Sequence, residues 1–209
     1  MPSEIVQVGH PVLRGQARPL SPGEIRGRKI HTLIDRMRSA MQQAPGVGLA
    51  APQIAMPLQL AVIEDRAEYH KEASAAHLAE RGRRPVPFHA VINPVIVDRS
   101  AETAEFFEGC LSLPGFSALV PRALRVTVEC LDERGEKKVI EASGWYARIL
   151  QHEIDHLGGM LYLDRMLPRS FTSMDNWAQF WKDKGAREIR AALDCLDLRQ
   201  DGAPPGTSN

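Results

Sequence analysis

The 209-residue sequence lacks an excess of charge of either sign, since 26 Lys and Arg residues face 26 Asp and Glu residues. A neutral chain has no basic field that would attract nucleic acid or an anionic membrane, so we expect neither as a partner, and no specific DNA binding. No window approaches the roughly 20 apolar residues that a membrane span requires. The N-terminus also lacks a basic segment followed by an apolar core, which predicts a cytoplasmic location.

Cysteine is scarce, and its three positions, Cys110, Cys130 and Cys195, show no scaffold-like spacing. An odd set of this kind argues against a disulfide framework. For Cys130 and Cys195 the simplest interpretation is a small hydrophobic residue. Cys110 differs because it follows a strand-like run inside the shaped loop sequence EGCLSLPGF. With 44% hydrophobic and 25% charged residues, the chain suits one globular domain.

The apolar patterns predict an α+β fold of mixed, mainly antiparallel strands around one central helix. The capping sequence SPGE opens a predicted helix over residues 22–43, which has one apolar stripe. The segments LQLAVIED, FHAVINPVIVD and LRVTVECLDERGEKKVIEA predict strands, and the last reads as a hairpin that turns near Gly135.

Two segments fall outside this pattern. Residues 64–87 are charged and alanine-rich, so we expect a surface loop with one short helix, and its His70 and His77 are assigned no role. Residues 1–172 are expected to form a single domain. The apolar spacing in 173–199 predicts a C-terminal helical extension, and the polar residues 200–209 predict a disordered tail.

The stretch ARILQHEIDHLGGMLY contains the pattern His-Glu-x-x-His, formed by His152, Glu153 and His156. A helix is expected to begin after Ser143 and to end near Gly158. Residues four apart differ by only ~40° around a helix, so both histidines can bind one metal ion. Glu153 is rotated out of the ligand position and lies where a general base beside a metal-bound water is needed.

The pattern also occurs by chance as two surface histidines on one helix. A catalytic metal site usually has three protein ligands, so a third ligand must be found elsewhere in the sequence. The extended metalloprotease motif needs histidine at position 162, which is Tyr162 here. A thermolysin-like site needs a later glutamate, for which only Glu188 in the peripheral tail is available. Cys110 is the better candidate, and a thiolate there would complete a Cys-His-His site.

These residues resemble the peptide deformylases at three places along the chain. GVGLAAPQ at 46–53, EGCLS at 108–112 and QHEIDH at 151–156 match the three motifs of that family, in the family's order. The resemblance extends over residues 4–172. The sequence SGWYARILQHE and the segment 64–87, an insertion in the family pattern, are similar to the mitochondrial and plant branch. Because no presequence precedes Ile5, we expect a bacterial or phage-type member.

The resemblance implies hydrolysis of the N-formyl group of N-terminal formyl-methionine on newly made polypeptides, with release of formate. Cys110, His152 and His156 would bind one divalent metal ion, Fe2+ in the cell, with Zn2+, Ni2+ or Co2+ able to occupy purified protein. A metal-activated hydroxide would attack the formyl carbon. Glu153 would act as general base and then as general acid.

The resemblance also assigns the residues that contact the substrate. The side-chain amide of Gln53 and the backbone N–H of Leu111 would stabilise the developing oxyanion. Small residues of the first motif leave room for a peptide backbone, which predicts loose recognition beyond the first residue. Glu108 would close the floor of the methionine pocket or orient a neighbour. The substrate-binding residues are expected to be Gly46, Val47, Gly48, Glu108, Trp145 and Ile149.

Three alternatives stay open at this point. A zinc endopeptidase of the His-Glu-x-x-His type would not depend on Cys110. A non-enzymatic module with a structural metal would need four protein ligands, and the sequence shows no fourth. The basic residues of the C-terminal extension could dock weakly on the ribosome, for which a solvated amphipathic helix is the simpler interpretation.

Overall fold

A computed structural model describes residues 5–71 and 73–198, which form an α+β fold. The strands, in chain order, are β1 Gly48–Ala50, β2 Leu60–Asp65, β3 Val86–Arg99, β4 Thr103–Cys110, β5 Leu113–Ala123, β6 Arg125–Leu131, β7 Lys137–Ser143 and β8 Thr172–Ser173. The helices are α1 Pro22–Ile25, α2 Arg28–Gln43, α3 Ala75–Glu80, α4 Gly144–Leu157, α5 Met174–Phe180 and α6 Ala186–Leu198.

The strands form two sheets in which neighbours pair antiparallel. One sheet has the order β1-β2-β3-β6-β7, and the other has the order β4-β5-β8. Helix α4 contacts strands of both sheets, including β1 and β7 of the larger and β5 of the smaller. The predicted α+β class with antiparallel sheets is therefore confirmed, and the motif-bearing helix contacts both sheets.

The helix expected over 22–43 is instead two helices. The predicted capping box forms, because the Ser21 hydroxyl accepts from the Glu24 N–H at 3.3 Å and the Glu24 carboxylate accepts from the Ser21 N–H at 2.8 Å. This first helix ends after one turn. Gly27 then adopts an extended conformation and caps α2, as expected for a residue with low helix propensity. The apolar stripe of α2 packs on β1, β2 and β3.

The middle of the chain follows the sequence expectations more closely. Gly135 lies in the turn between β6 and β7, with a φ of 82° that glycine tolerates without strain. Helix α4 begins at Gly144 with Ser143 as its N-cap, although the Ser143 side chain makes no capping hydrogen bond. Buried residues of α4 pack against β6 and β7.

The insertion at 64–87 contains the one short helix that the sequence predicts, which is α3. It also contains a 3-10 turn at Ala67–His70. Arg83 donates two hydrogen bonds to the buried Asp65 at 2.8 and 2.9 Å, which ties the insertion to the end of β2. Arg81 and Arg83 of the insertion also lie over the ring of Trp145 in the first turn of α4.

The C-terminal extension packs on the smaller sheet. Ile189 and Leu193 of α6 are buried against Phe107 of β4 and Leu119 of β5. Unlike the purely helical extension that the sequence predicts, the segment from Thr172 first adds strand β8 to β5. The predicted tail over 200–209 lies outside the described residues. Within the described part of the chain, no helix has the length and apolarity needed to cross a membrane.

Candidate metal centre

Helix α4 places His152 and His156 side by side, and His152 lines a cleft. Their Nε2 atoms are 3.2 Å apart, and the His156 side chain is buried. This spacing follows from the four-residue separation on one helix, which points both rings to the same face. The pair therefore presents two nitrogen donors to one point.

Cys110 is the last residue of β4 in the smaller sheet, and its sulfur lies close to the two histidine nitrogens. A bulge in the pairing of β4 with β5, between Glu108 and Cys110, redirects the chain where β4 ends. The Cys110 sulfur lies 3.3 Å from the His156 Nε2 atom, and the three donor atoms all lie within 4.8 Å of one another. The donors of a tetrahedral ion with bonds of ~2.0–2.3 Å lie roughly 3.3–3.6 Å apart, so this group fits a divalent metal ion.

Glu108 holds His152 in the orientation that such an ion requires. Its Oε2 atom lies 3.0 Å from the Nδ1 atom of His152, which leaves the Nε2 atom free to face the cleft. Burial opposes ionisation here, but the hydrogen bond to His152 and the charge of Arg122 hold the pKa of Glu108 well below its usual range. Glu108 therefore remains a carboxylate inside the protein.

A buried ionic network surrounds Glu108, and sequence reasoning missed it. Arg122 donates to Glu108 through two nitrogens at 3.0 Å each, and it also pairs with Asp155. Arg148 donates to the Oε1 atom of Glu108 at 2.6 Å, and Arg165 holds Asp155 at 2.7 and 2.8 Å. One signal was present, since Arg122 interrupts the otherwise apolar strand segment SALVPRAL.

Glu153 lies next to the three donors but belongs to none of these pairs. Its side chain is buried, and no described residue hydrogen-bonds to its Oε2 atom. Burial raises the pKa of Glu153 to about 7. The carboxyl can therefore both accept and release a proton near neutral pH, although a nearby divalent cation would lower this pKa.

Gln53 and Leu111 line the cleft close to Cys110. The Oε1 atom of Gln53 accepts from the backbone N–H of Ala50 at 2.8 Å, which fixes the amide. Its Nε2 atom then lies 3.2 Å from the Ser112 hydroxyl and 3.5 Å from the Cys110 sulfur. Leu111 follows Cys110 directly and lines the cleft.

The cleft has a volume of about 320 Å³ and contains all six residues expected to bind substrate. Three guanidinium groups surround the Trp145 ring, with Arg81 at 5.2 Å, Arg83 at 5.5 Å and Arg148 at 5.8 Å from its centroid. Two of them belong to the insertion, which thus supports the wall of the cleft. The substrate candidates in this lining are Gly46, Val47, Gly48, Glu108, Trp145 and Ile149.

Glu188, the alternative third ligand, and His70, which is assigned no role, both lie outside this group. Glu188 is on α6, where its carboxylate accepts from the Gly185 N–H at 3.0 Å. His70 lies 3.0 Å from Asp65 inside the insertion. Among residues 5–71 and 73–198, the single group of at least three His, Cys, Asp or Glu side chains spaced for a metal ion is Cys110, His152 and His156. The third donor is thus the cysteine and not a distant glutamate.

Comparison with known proteins identifies relatives over most of the chain. A family model described as polypeptide deformylase matches residues 2–171. Peptide deformylase 1A, chloroplastic/mitochondrial, of Arabidopsis thaliana is 50% identical over 173 residues, which make up 83% of this chain and 64% of the relative. Peptide deformylase 3 of Streptomyces avermitilis is 45% identical over 192 residues, or 92% and 84% of the two chains. This chain therefore spans less than two thirds of the plant relative.

Solved structures share the same architecture. The Met-Ala-Ser-bound peptide deformylase of Acinetobacter baumannii matches with a TM-score of 0.69 at 31% identity, covering 78% of this chain and 96% of that one. The Thermotoga maritima peptide deformylase matches with a TM-score of 0.67 at 36% identity, covering 80% and 99%. Sequence and structure agree, and this chain belongs to the polypeptide deformylase family.

Proposed function

We propose that this chain is a metal-dependent hydrolase that removes the formyl group from the N-terminal formyl-methionine of newly made polypeptides and releases formate. The observation that carries this proposal is the group of Cys110, His152 and His156 beside the buried Glu153, with Cys110, His152 and Glu153 lining an open cleft. Family membership supports the same reaction. Its place of action is proposed to be the cytoplasm.

Cys110, His152 and His156 would hold one divalent ion, for which we propose Fe2+ in the cell and Zn2+, Ni2+ or Co2+ as possible occupants of purified protein. When bound, such an ion would lower the pKa of a coordinated water and would polarise the formyl group. Glu108 keeps His152 in the correct tautomer through the 3.0 Å contact with its Nδ1 atom.

Glu153 would move the proton that the reaction displaces. Its unpaired Oε2 atom is available to take a proton from the attacking water. The same carboxyl would then deliver a proton to the departing amine, so that one side chain acts as base and then as acid. Because Glu153 is buried, bulk water does not compete for either transfer.

The formyl group and the peptide would be held by the first two motifs. The Gln53 Nε2 atom and the backbone N–H of Leu111 would donate to the formyl oxygen as negative charge develops on it. The backbone near Val47 and Gly48 would pair with the extended peptide. Val47, Trp145 and Ile149 would surround the methionine side chain with apolar surface.

The proposal is tested by formate release from formyl-Met-Ala-Ser, with protein purified anaerobically and its metal content determined on the same sample. Turnover that follows metal occupancy is the expected result. Metal-loaded protein that releases no formate but cleaves unblocked peptides would contradict the proposal and favour the zinc endopeptidase. In that case Cys110→Ala would retain both metal and activity, whereas we expect it to lose both.

Replacing Gly48 with alanine is expected to lower formate release by about 10²-fold. A Cβ atom at this position would lie 2.3 Å from the Glu153 Oε1 atom and 2.9 Å from its Cγ atom, so the carboxyl must move. Small misplacements of a catalytic group cost rates of this order. Gly23→Ala is the control, because a Cβ atom there would meet nothing within 4 Å and the residue lies on α1, outside the cleft lining. Equal losses in the two variants would contradict the prediction.

Replacing Glu108 with glutamine is expected to weaken metal binding by about 10–100-fold. The amide can no longer accept from the His152 Nδ1 position with a full negative charge. Competition with a metal chelator measures the affinity. Glu105→Gln on the same strand is the control, because Glu105 pairs with Arg190 near the surface. An affinity in Glu108→Gln equal to that of the control would show that Glu108 does not orient the ligand.

A further inference from the structure

A short N-terminal segment, residues 5–8, joins the two loops that carry the proposed oxyanion donors. It lies outside the helices and strands, yet its backbone is bound at two points. The Val6 N–H donates to the Gln53 C=O at 2.9 Å, and the Val8 N–H donates to the Ser112 C=O at 2.8 Å. We call residues 5–8 the N-terminal strap. The strap therefore contacts both the first and the second motif.

The Gln7 side chain makes a further contact between these two points. Its Nε2 atom donates to the Leu111 C=O at 3.3 Å and to the Ile5 C=O at 2.9 Å. Both bonds form at once because a primary amide nitrogen carries two hydrogens. The amide is thus held by the strap itself and binds the second motif next to the metal-ligand candidate Cys110.

The strap completes a closed ring of contacts around the two motifs. The Gln53 Nε2 atom lies 3.2 Å from the Ser112 hydroxyl, which links the motifs directly. Val6 holds the Gln53 backbone and Val8 holds the Ser112 backbone, so the strap links the motifs a second time. Two links restrict the relative motion of the motifs more than one link does, which favours donors that are fixed before the substrate arrives.

Leu111 depends on this support because it lies between two strands. Strand β4 ends at Cys110, and β5 begins at Leu113. In the part of the chain that the structure describes, no backbone carbonyl accepts from the Leu111 N–H, so this donor is available to a substrate. The next two carbonyls along the chain, those of Leu111 and Ser112, are both bound by the strap. The strap therefore restricts the direction of this N–H from outside the cleft.

We propose that Gln7 is a positioning residue for the hydrolysis, which acts through the Leu111 C=O to hold the Leu111 N–H in the direction that the oxyanion requires. This inference rests on the proposed function. Gln7 is exposed and absent from the cleft lining, so its loss should leave substrate binding intact and lower kcat. For Gln7→Leu, which keeps most of the side-chain volume without the donor, we expect kcat to fall about tenfold with KM changed less than about twofold.

Steady-state formate release from formyl-Met-Ala-Ser tests this split in variants of equal metal content. Gln7→Lys keeps an N–H donor on a side chain of similar reach and should retain about half of the kcat of the unmodified protein. Gln16→Leu is the control, because Gln16 is an exposed glutamine outside the cleft lining, and it should keep both constants. An unchanged kcat in Gln7→Leu, a loss confined to KM, or equal losses in Gln7→Leu and Gln7→Lys would overturn the proposal.

Backbone hydrogen exchange gives a second measurement, which does not depend on turnover. Mass spectrometry of the segment 108–113 in the metal-loaded protein should show exchange up to about tenfold faster in Gln7→Leu and unchanged in Gln16→Leu. Unchanged exchange in Gln7→Leu would contradict the contact, and faster exchange with an unchanged kcat would reduce Gln7 to a structural role. Absence of formate from every variant and from the unmodified protein would refute the proposed function, while the exchange would still show whether Gln7 holds this loop.

Discussion

Replacing Glu153 with alanine is expected to lower formate release by about 10²–10⁴-fold while leaving the metal content unchanged. The expectation follows from position, because Glu153 is buried beside the metal-ligand candidates but is not one of the three donors. Its Oε2 atom has no hydrogen-bond partner in the described part of the chain, so the truncation breaks no visible ion pair.

Formate release and metal analysis on the same sample check this prediction. Glu141→Ala is a suitable control, since Glu141 is an exposed carboxylate on the neighbouring strand β7. Retained turnover in Glu153→Ala would remove the residue from the mechanism. Loss of metal together with loss of turnover would instead make Glu153 part of the metal-binding group.

Replacing Arg122 with methionine is expected to lower the free energy of unfolding by about 3–5 kcal/mol. The Arg122 side chain is only 3% exposed, and it bridges the buried carboxylates of Glu108 and Asp155. Methionine fills much of the same volume but leaves both carboxylates with one cation partner fewer. The cost of such a change comes from the charges left behind inside the protein.

Urea unfolding of the metal-free protein measures this effect separately from metal binding. Arg125→Met, three residues further along the chain, is the matched control. Arg125 pairs with Glu102, and both side chains are more than 60% exposed, so about 0–1 kcal/mol is expected there. Similar values for the two variants would show that the buried network contributes no more than a surface ion pair.

The motif-bearing helix could be predicted from the sequence because its information is local. The spacing of His152, Glu153 and His156 fixes their directions on α4, and the expected start after Ser143 agrees with the structure. The paired strands around Gly135 were predictable for the same reason, since turn chemistry and alternation are read within a few residues.

Other features depend on contacts between distant segments, and local patterns do not contain them. Arg122 meets its partners 14 and 33 residues away in the chain, so its role is visible only once β4, β5 and α4 pack together. Strand β8 has two residues, too few for any alternation. The stacking of Phe116 on Phe171 joins residues 55 positions apart and follows from that short strand.

Cys110 ends a strand of one sheet, while His152 and His156 belong to helix α4, which contacts both sheets. A bound ion would therefore cross-link parts of the fold that the backbone joins only through a long connection. By mass action, every tenfold rise in free ion above the dissociation constant should add about 1.4 kcal/mol to the folded state. The melting temperature should therefore rise with the concentration of free ion. Its increase can rank the affinities of competing metals without any substrate.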